Sequence, residues 1–340
     1  MKKSEFTSRR WPLSYNFATE LVPLFMKHLQ LCEVKPGERI LLITDPRFNP
    51  HYPAAFFGAG MALGAEVFQL TLPFTTKELP PYAGEIMKQA NLVIGMTKVQ
   101  WLYTRPHAEA LESGTRTLMV VEAEDELIRL FPRREVQRRG LEGVKVLSAG
   151  RKIRITSDAG TDLLVDKGSR PVHCSYGFSD RPGRWDHWPQ GNVSVMPPED
   201  QAEGVLVVDK GDVIYTPGID RHVSEPIKLT YREGKIVEIE GGTDAMALKE
   251  WFESFHDERA YWISHVGWGI EERAQWSIIG MDSECFYGGI MVAYGRNIFP
   301  GSGGVNDTVA HGQVILRNCN FTVDGQVIVE KGRIVPENLR

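Results

Sequence analysis

A chain of 340 residues, 42% hydrophobic and 24% charged, is long enough for about two globular domains with substantial cores. Its net charge of −5, without a long basic run, argues against nucleic acid or an anionic membrane as the main partner. No run of about 18 apolar residues, no signal-peptide pattern and four scattered cysteines indicate a cytoplasmic protein that does not span a membrane.

The first half of the sequence alternates predicted strands with predicted helices. Apolar runs predict strands at 38–45, 66–72, 91–96 and 117–121, and helical patterns fall at 54–65, 82–90 and 124–131. Such alternation predicts a parallel sheet with helices on its faces. Gly58, Gly60 and Gly64 lie within a predicted helix, not at a strand–helix turn. They therefore indicate close helix packing rather than a dinucleotide site.

After about residue 150 strands dominate. Residues 151–158 and 162–167 predict a hairpin, and E-G at 233–234 and D-G at 324–325 predict two further hairpin turns. One helix is predicted after an N-cap at Thr243 or Asp244. The expected fold class is α/β with two domains, an N-terminal parallel α/β domain (1–165) and a C-terminal β-rich α+β domain (166–340).

Two histidines stand out because each lies in an apolar, strand-like run. His265 is in A-Y-W-I-S-H-V-G-W-G-I (260–270), and His311 precedes Gln313 by two residues, which places their side chains on one face of a strand. Each alone is compatible with a core histidine bonded to a backbone carbonyl, since an unpaired buried imidazole costs about 1–3 kcal/mol. Together they predict a shared site, because two histidines and a carboxylate hold iron in non-haem Fe(II) oxygenases. His28, in an amphipathic helix, is expected to face solvent.

Several segments, taken in order, resemble one family. They are V-V-E-A-E-D-E-L-I-R-L (120–130), P-G-R-W-D-H-W-P (182–189), P-E-D-Q-A-E-G-V-L-V-V-D (198–209), S-H-V-G-W-G (264–269) and H-G-Q-V-I-L-R-N-C-N (311–320). The chain resembles the 2,5-dihydroxypyridine 5,6-dioxygenase family, which is built on a metallo-aminopeptidase-like fold. The resemblance implies an extradiol-type dioxygenase that opens a hydroxylated N-heteroaromatic ring with O2. It also implies a homo-oligomer.

The resemblance further implies a ligand set for Fe(II). In that family a histidine of S-H-x-G-W-G and both ends of an H-x-D pair hold the ion. His265 and His311 match, whereas Gln313 stands at the aspartate position. A neutral amide leaves the charge of the ion uncompensated, so we expect weak binding of Fe(II), and tighter binding in Gln313→Asp. The family's pocket histidine corresponds to Tyr103, with His107 four residues further on.

The remaining candidate residues come from loops, and each also has a purely structural interpretation. A base within hydrogen-bonding reach would deprotonate the ring hydroxyl. An arginine would pair with a carboxylate or phenolate, a tryptophan would stack on the ring, and a serine would bind a heteroatom. The predicted bases are Tyr103, His107 and His187, and the predicted substrate-binding residues are Arg184, Trp185 and Ser302.

Three interpretations stay open at this stage. In the first, an anionic substrate supplies the missing charge to an Fe(II) dioxygenase. In the second, a carboxylate from elsewhere, best placed at Asp307, completes a metal site that could hydrolyse its substrate. Most of the acidic residues after His265 are instead expected to be solvated charges; these are Glu271, Glu272, Asp282 and Glu284. In the third, no metal binds, and Gln313 hydrogen-bonds an aromatic ligand in an acid–base enzyme or a binding protein.

Overall fold

The structure is a computed structural model that describes residues 18–299 and 301–340. Its helices are α1 (Ala18–Leu31), α2 (His51–Ala62), α3 (Pro81–Met87), α4 (Arg105–Glu112), α5 (Glu124–Arg129), α6 (Arg134–Ala149), α7 (Thr243–Glu253) and α8 (Met281–Cys285). Two 3₁₀ helices follow at Glu258–Tyr261 and Glu337–Leu339. Within these two described ranges, every helix is too short or too polar to span a bilayer.

The strands form three sheets. Those of the parallel sheet are β1 (Arg39–Thr44), β2 (Glu66–Thr71), β3 (Leu92–Met96), β4 (Arg116–Met119) and β8 (Trp185–His187). An eight-stranded sheet contains β5 (Lys152–Thr156), β6 (Asp162–Asp166), β10 (Ala202–Val208), β13 (Ile227–Arg232), β14 (Lys235–Gly241), β18 (Asn320–Val323), β19 (Gln326–Glu330) and β20 (Arg333–Ile334). A seven-stranded sheet contains β7 (Val172–Ser175), β9 (Asn192–Val195), β11 (Val213–Tyr215), β12 (Arg221–His222), β15 (Ile263–Gly269), β16 (Ile290–Gly295) and β17 (His311–Leu316).

The first compact unit comprises residues 18–132 and Gly177–Pro189. Its sheet has the order β2-β1-β3-β4-β8 with parallel pairing throughout, which confirms the predicted parallel α/β architecture. Gly60 lies where α2 crosses this sheet, and a Cβ there would be 2.6 Å from Val67 and 3.2 Å from Ile40. Gly58 and Gly60 therefore serve close packing, as predicted, whereas Gly64 lies beyond the end of α2 with a φ of 77°, so its predicted helical position is wrong.

The edge strand β8 is held by contacts that the sequence pattern does not reveal. Trp188 stacks on His28 with ring centroids 4.1 Å apart, and His28 Nε2 donates to the carbonyl of Gly177 at 2.8 Å. His28 is fully buried, so the expectation that it faces solvent is wrong. Burial lowers the pKa of His28 to about 4, although the hydrogen bond to Gly177 opposes this. A neutral imidazole is thus part of this core.

The second unit comprises Arg133–Tyr176 and Gln190–Arg340. The predicted β5–β6 hairpin and the two later hairpins are confirmed by antiparallel pairing. Their turns place Glu233–Gly234 and Asp324–Gly325 at positive φ, as two-residue turns of this kind require. Helix α7 begins at Thr243 with Gly242 as its N-cap, so the predicted capping roles of Thr243 and Asp244 are wrong.

The two units do not correspond to a single cut of the chain. Residues 133–165 pack in the second unit and 177–189 in the first, which differs from the predicted boundary between residues 165 and 166. The difference arises because α6 packs on β7 and β9, while β8 joins the parallel sheet beside β4. Both partnerships are distant in sequence, and local composition does not predict them.

The seven-stranded sheet has one apolar and one polar face. On the apolar face, Val193 and Trp268 contact α6 at Gly143, and Trp268 also packs against Phe321 of the eight-stranded sheet with ring centroids 5.2 Å apart. Alternation along β15 and β17 directs His265 and Gln313 to the opposite face. The sheet thus has a hydrophobic core against one face and the buried candidate polar residues on the other.

Candidate active site

His265 and Gln313 meet across an intervening strand. β16 lies between β15 and β17, and Ala293 of β16 is the register partner of Gln313. On the other side, the register of β15 shifts between Ile263 and Val266, opposite this part of β16. The distance from His265 Nε2 to Gln313 Oε1 is 3.2 Å. Two side chains can meet above this strand because the residue between them is an alanine.

His311 begins β17, two residues before Gln313 and on the same face. Its Nδ1 lies 2.9 Å from the carbonyl oxygen of Arg296. A carbonyl only accepts, so Nδ1 carries the proton and Nε2 has the lone pair. This is the usual arrangement of a metal-binding histidine, whose second nitrogen donates to a carbonyl or carboxylate. The His311 and His265 ring centroids are 5.8 Å apart.

A buried carboxylate lies beside Gln313. Glu284 of α8, only 8% exposed, accepts from Gln313 Nε2 at 2.8 Å through its Oε2. Its Oε1 accepts from Gln190 Nε2 at 3.1 Å and from Asn192 Nδ2 at 2.9 Å. Three side-chain amides therefore converge on one carboxylate, and one of these amides also contacts His265.

Burial sets the protonation states of the two imidazoles. It lowers the pKa of His265 to about 3, with a smaller contribution from neighbouring His311 and an opposing one from the hydrogen bond to Gln313. Burial also lowers the pKa of His311 to about 4, against the hydrogen bond to Arg296. Both imidazoles are therefore neutral near pH 7, as metal ligation requires.

These residues fit a divalent metal ion. Metal–nitrogen bonds of about 2.1 Å place an ion roughly 3.2 Å from each ring centroid, so centroids within about 6.4 Å can share it. The separation of 5.8 Å meets this condition. The 3.2 Å between His265 Nε2 and Gln313 Oε1 also suits adjacent ligands with bonds of that length. Since Nε2 is the His265 nitrogen that faces Gln313, the ion would bind there, and Nδ1 stays buried without a hydrogen-bonding partner among the described residues.

The comparisons with known proteins identify the family to which the chain belongs. The sequence profile of the 2,5-dihydroxypyridine 5,6-dioxygenase family matches residues 20–336. The chain belongs to this family. A relative within it is the 2,5-dihydroxypyridine 5,6-dioxygenase of Pseudomonas putida KT2440. The two sequences are 32% identical in an alignment 346 residues long, which covers 94% of this chain and 98% of the relative.

Solved structures agree with membership of the dioxygenase family. The 2,5-dihydroxypyridine dioxygenase from Pseudomonas putida KT2440 superposes with a TM-score of 0.88 at 31% identity, over 95% of this chain and 99% of the other. Wild-type AmpT from Thermus thermophilus superposes with a TM-score of 0.68 at 13% identity, over 94% and 100% of the two chains. The latter shows the fold alone, and the predicted aminopeptidase-like two-domain fold is confirmed.

Four of the predicted pocket residues of this dioxygenase-family chain lie together in the first unit. The rings of Tyr103 and Trp185 pack edge to face with centroids 5.8 Å apart, and those of Trp185 and His187 with centroids 5.3 Å apart. Tyr103 has a positive φ of 59°. His107 is fully buried on α4, and its Nε2 lies 2.9 Å from the hydroxyl of Thr117 on β4. Burial, with neighbouring His187, lowers the pKa of His107 to about 3. Their roles stay predictions.

The other two predicted substrate-binding residues make contacts within their own units. Arg184 is buried, pairs with Asp186 and donates from Nε to the carbonyl of Phe178 at 3.1 Å. The hydroxyl of Ser302 donates to the carbonyl of Phe299 at 2.9 Å and accepts from the Gly304 N–H at 3.1 Å. Neither contact bears on substrate, so both roles stay predictions.

The acidic residues near the site differ from expectation. Asp307 is half-exposed and pairs with Arg296 at 2.8 Å. Glu271, Asp282 and Glu284 are buried, so the expectation of solvated charges is wrong for these three. Arginines compensate Glu271, a backbone N–H donates to Asp282, and amides surround Glu284.

Sequence reasoning missed the carboxylate–amide cluster formed by Glu284, Gln190 and Asn192. A signal was present, because Gln190 and Asn192 bracket the start of the apolar strand β9, and G-M-D-S-E-C-F (280–286) places two acids beside a cysteine. Among the described residues, no group of three or more His, Cys, Asp or Glu side chains could hold a metal. The candidate donor set is distinctive because an amide completes it.

Proposed function

We propose that this protein is an extradiol-type dioxygenase that opens the ring of 2,5-dihydroxypyridine or a closely related hydroxylated N-heteroaromatic compound. The homo-oligomeric, cytoplasmic form implied by the resemblance belongs to the same proposal. The supporting observation is that a chain belonging to this family along nearly its whole length directs His265, His311 and Gln313 to one face of one sheet.

Fe(II) is the metal that we propose for this donor set. His265 and His311 would supply imidazole nitrogens, and Gln313 its amide oxygen. The bound ion would supply Lewis acidity and a template for the ring and O2. With three protein ligands, open positions remain for small molecules, as in other non-haem iron sites.

The chain's own residues would bind the ring and move protons. His187 and Tyr103 are the proposed acceptors of the ring-hydroxyl proton, and Trp185, which contacts both rings, would pack against the heteroaromatic. His107 is neutral near pH 7 because its pKa is lowered to about 3. The hydrogen bond between His107 Nε2 and the hydroxyl of Thr117 holds this imidazole against strand β4. In this proposal His107 positions its neighbours while His187 takes the proton.

The proposal is tested with protein purified anaerobically and loaded with Fe(II). We expect loss of 2,5-dihydroxypyridine with uptake of one O2 per ring, and both atoms of ¹⁸O₂ in the ring-opened product. His265→Ala and His311→Ala should each reduce the rate more than a hundredfold. His256→Asn is the matched control, since His256 is exposed and has a positive φ that asparagine tolerates.

Two results would contradict the proposal. Substrate loss without O2 uptake would indicate hydrolysis or acid–base chemistry on the aminopeptidase-like fold. Binding of hydroxylated heteroaromatics without turnover, and without any affinity for Fe(II), would indicate a ligand-binding protein.

A further inference from the structure

Glu284 is a carboxylate in direct contact with one of the proposed ligands, Gln313. It is buried on α8, and its two oxygens accept three amide N–H groups, from Gln190, Asn192 and Gln313. Three donors around two oxygens match an ionised carboxylate, which can only accept.

This carboxylate determines which way the Gln313 amide points. Because Glu284 accepts, the NH2 group of Gln313 must face it, and the carbonyl oxygen must face His265 Nε2, 3.2 Å away. The reverse orientation would set two acceptors against each other in a buried site, at a cost of about 1–3 kcal/mol. The hydrogen bond from Gln313 to Glu284 of α8 therefore determines the orientation of the Gln313 amide.

The same contact bears on charge. His265, His311 and Gln313 are all neutral donors, and hard anionic ligands normally help to retain iron in a site of nitrogen and oxygen ligands. We propose that Glu284 is a positioning residue of the metal centre, which turns the Gln313 carbonyl oxygen toward His265 and supplies a negative charge one hydrogen bond away. This inference rests on the proposed function, because it assumes that these residues hold a divalent ion.

The test measures metal affinity directly, with Co(II) as a spectroscopic probe in place of Fe(II). Wild-type protein is titrated with Co(II), and the visible absorption bands report both affinity and ligand geometry. Glu284→Gln keeps the shape of the side chain and removes its charge. We expect its Co(II) dissociation constant to rise about 10- to 100-fold, the usual effect of removing a partner of a metal ligand, with shifted absorption bands.

Asp282→Asn is the matched control. It removes another buried carboxylate from the same helix, one that accepts a hydrogen bond from the Gln275 N–H. We expect its Co(II) affinity to stay within about threefold of wild type. The double variant Glu284→Gln/Gln313→Glu moves the charge to position 313 and should restore most of the lost affinity.

Wild-type affinity and spectrum in Glu284→Gln, or a double variant no better than Glu284→Gln alone, would overturn the inference. If Glu284→Gln does not fold, Glu284→Asp decides, because it keeps the charge but withdraws it from Gln313. We expect about a 3- to 10-fold loss of affinity there, and unchanged affinity would overturn the inference. Failure of the wild-type protein itself to bind Co(II) or Fe(II) would instead refute the proposed function.

Discussion

Replacing Gln313 with aspartate is expected to destabilise the metal-free protein and to increase its dependence on a divalent ion. The Gln313 Nε2 atom lies 2.8 Å from Glu284 Oε2. Aspartate is one methylene shorter, so the two carboxylates would stand about 4 Å apart. Two like charges at that distance repel by about 4 kcal/mol at the effective dielectric constant typical of proteins.

Protonation of the new aspartate sets an upper limit on this destabilisation, and that limit is also about 4 kcal/mol. Neutralising an aspartate of ordinary pKa at pH 7 costs about 4 kcal/mol, so the pair would share a proton rather than bear a larger repulsion. Gln313→Asn is the matched control, because it has the same length and also withdraws from Glu284 but carries no charge. The difference in unfolding free energy between the two variants therefore isolates the charge term.

The assay is chemical denaturation at pH 7, first with chelator and then with saturating Co(II). Without metal, Gln313→Asp should be about 4 kcal/mol less stable than Gln313→Asn. With metal, the difference in unfolding free energy between the two variants should shrink or change sign, because an ion that binds the folded state of one variant more tightly stabilises that variant more. Equal stability of the two variants without metal would refute the placement of an ionised Glu284 beside position 313. The simpler expectation from sequence, that aspartate only tightens iron binding, omits this neighbour.

Three further predictions concern packing and pH. Ala293→Leu should weaken Co(II) binding more than tenfold by filling the space between the imidazole and the amide, at a stability cost of about 1–3 kcal/mol, whereas Ala293→Gly should bind normally. In the wild type, the stability contributed by His28 is complete above pH 6.5 and is lost as pH falls toward its folded pKa of about 4. Between pH 7.5 and pH 5, the free energy of unfolding should therefore fall by about 2 kcal/mol more in the wild type than in His28→Leu, as measured by denaturation at both pH values. Gly60→Ala should lower the melting temperature more than Gly58→Ala, since its new Cβ would stand 2.6 Å rather than 3.3 Å from its nearest valine; equal effects would contradict the packing argument.

The sequence predicts those features that arise from local periodicity. The parallel strands, the two glycine-containing hairpin turns and the strand positions of His265 and His311 all follow from patterns a few residues long. What the sequence does not reveal depends on partners far away in the chain. The sequence around Glu284 predicts a solvated charge, because its three amide partners are far away in the chain, at positions 190, 192 and 313.

His28 illustrates the same limit within the fold. Its helix is amphipathic, and histidine is usually polar enough to face solvent. Its burial follows from Trp188 and the carbonyl of Gly177, which arrive about 150 residues later. Helical periodicity shows that a residue is near the boundary of a buried face, but only the tertiary partner determines on which side of that boundary it lies.

The late arrival of β8 has a consequence for the order in which the chain folds. During synthesis, β1 to β4 leave the ribosome well before Trp185–His187, and until then β4 has no neighbour on its outer edge. Unpaired strand edges favour association with other chains, and long-range pairing slows folding. A fragment that ends before residue 177 would keep this edge open permanently. We therefore expect such fragments to aggregate, and the nascent chain to need protection until residue 189 has emerged.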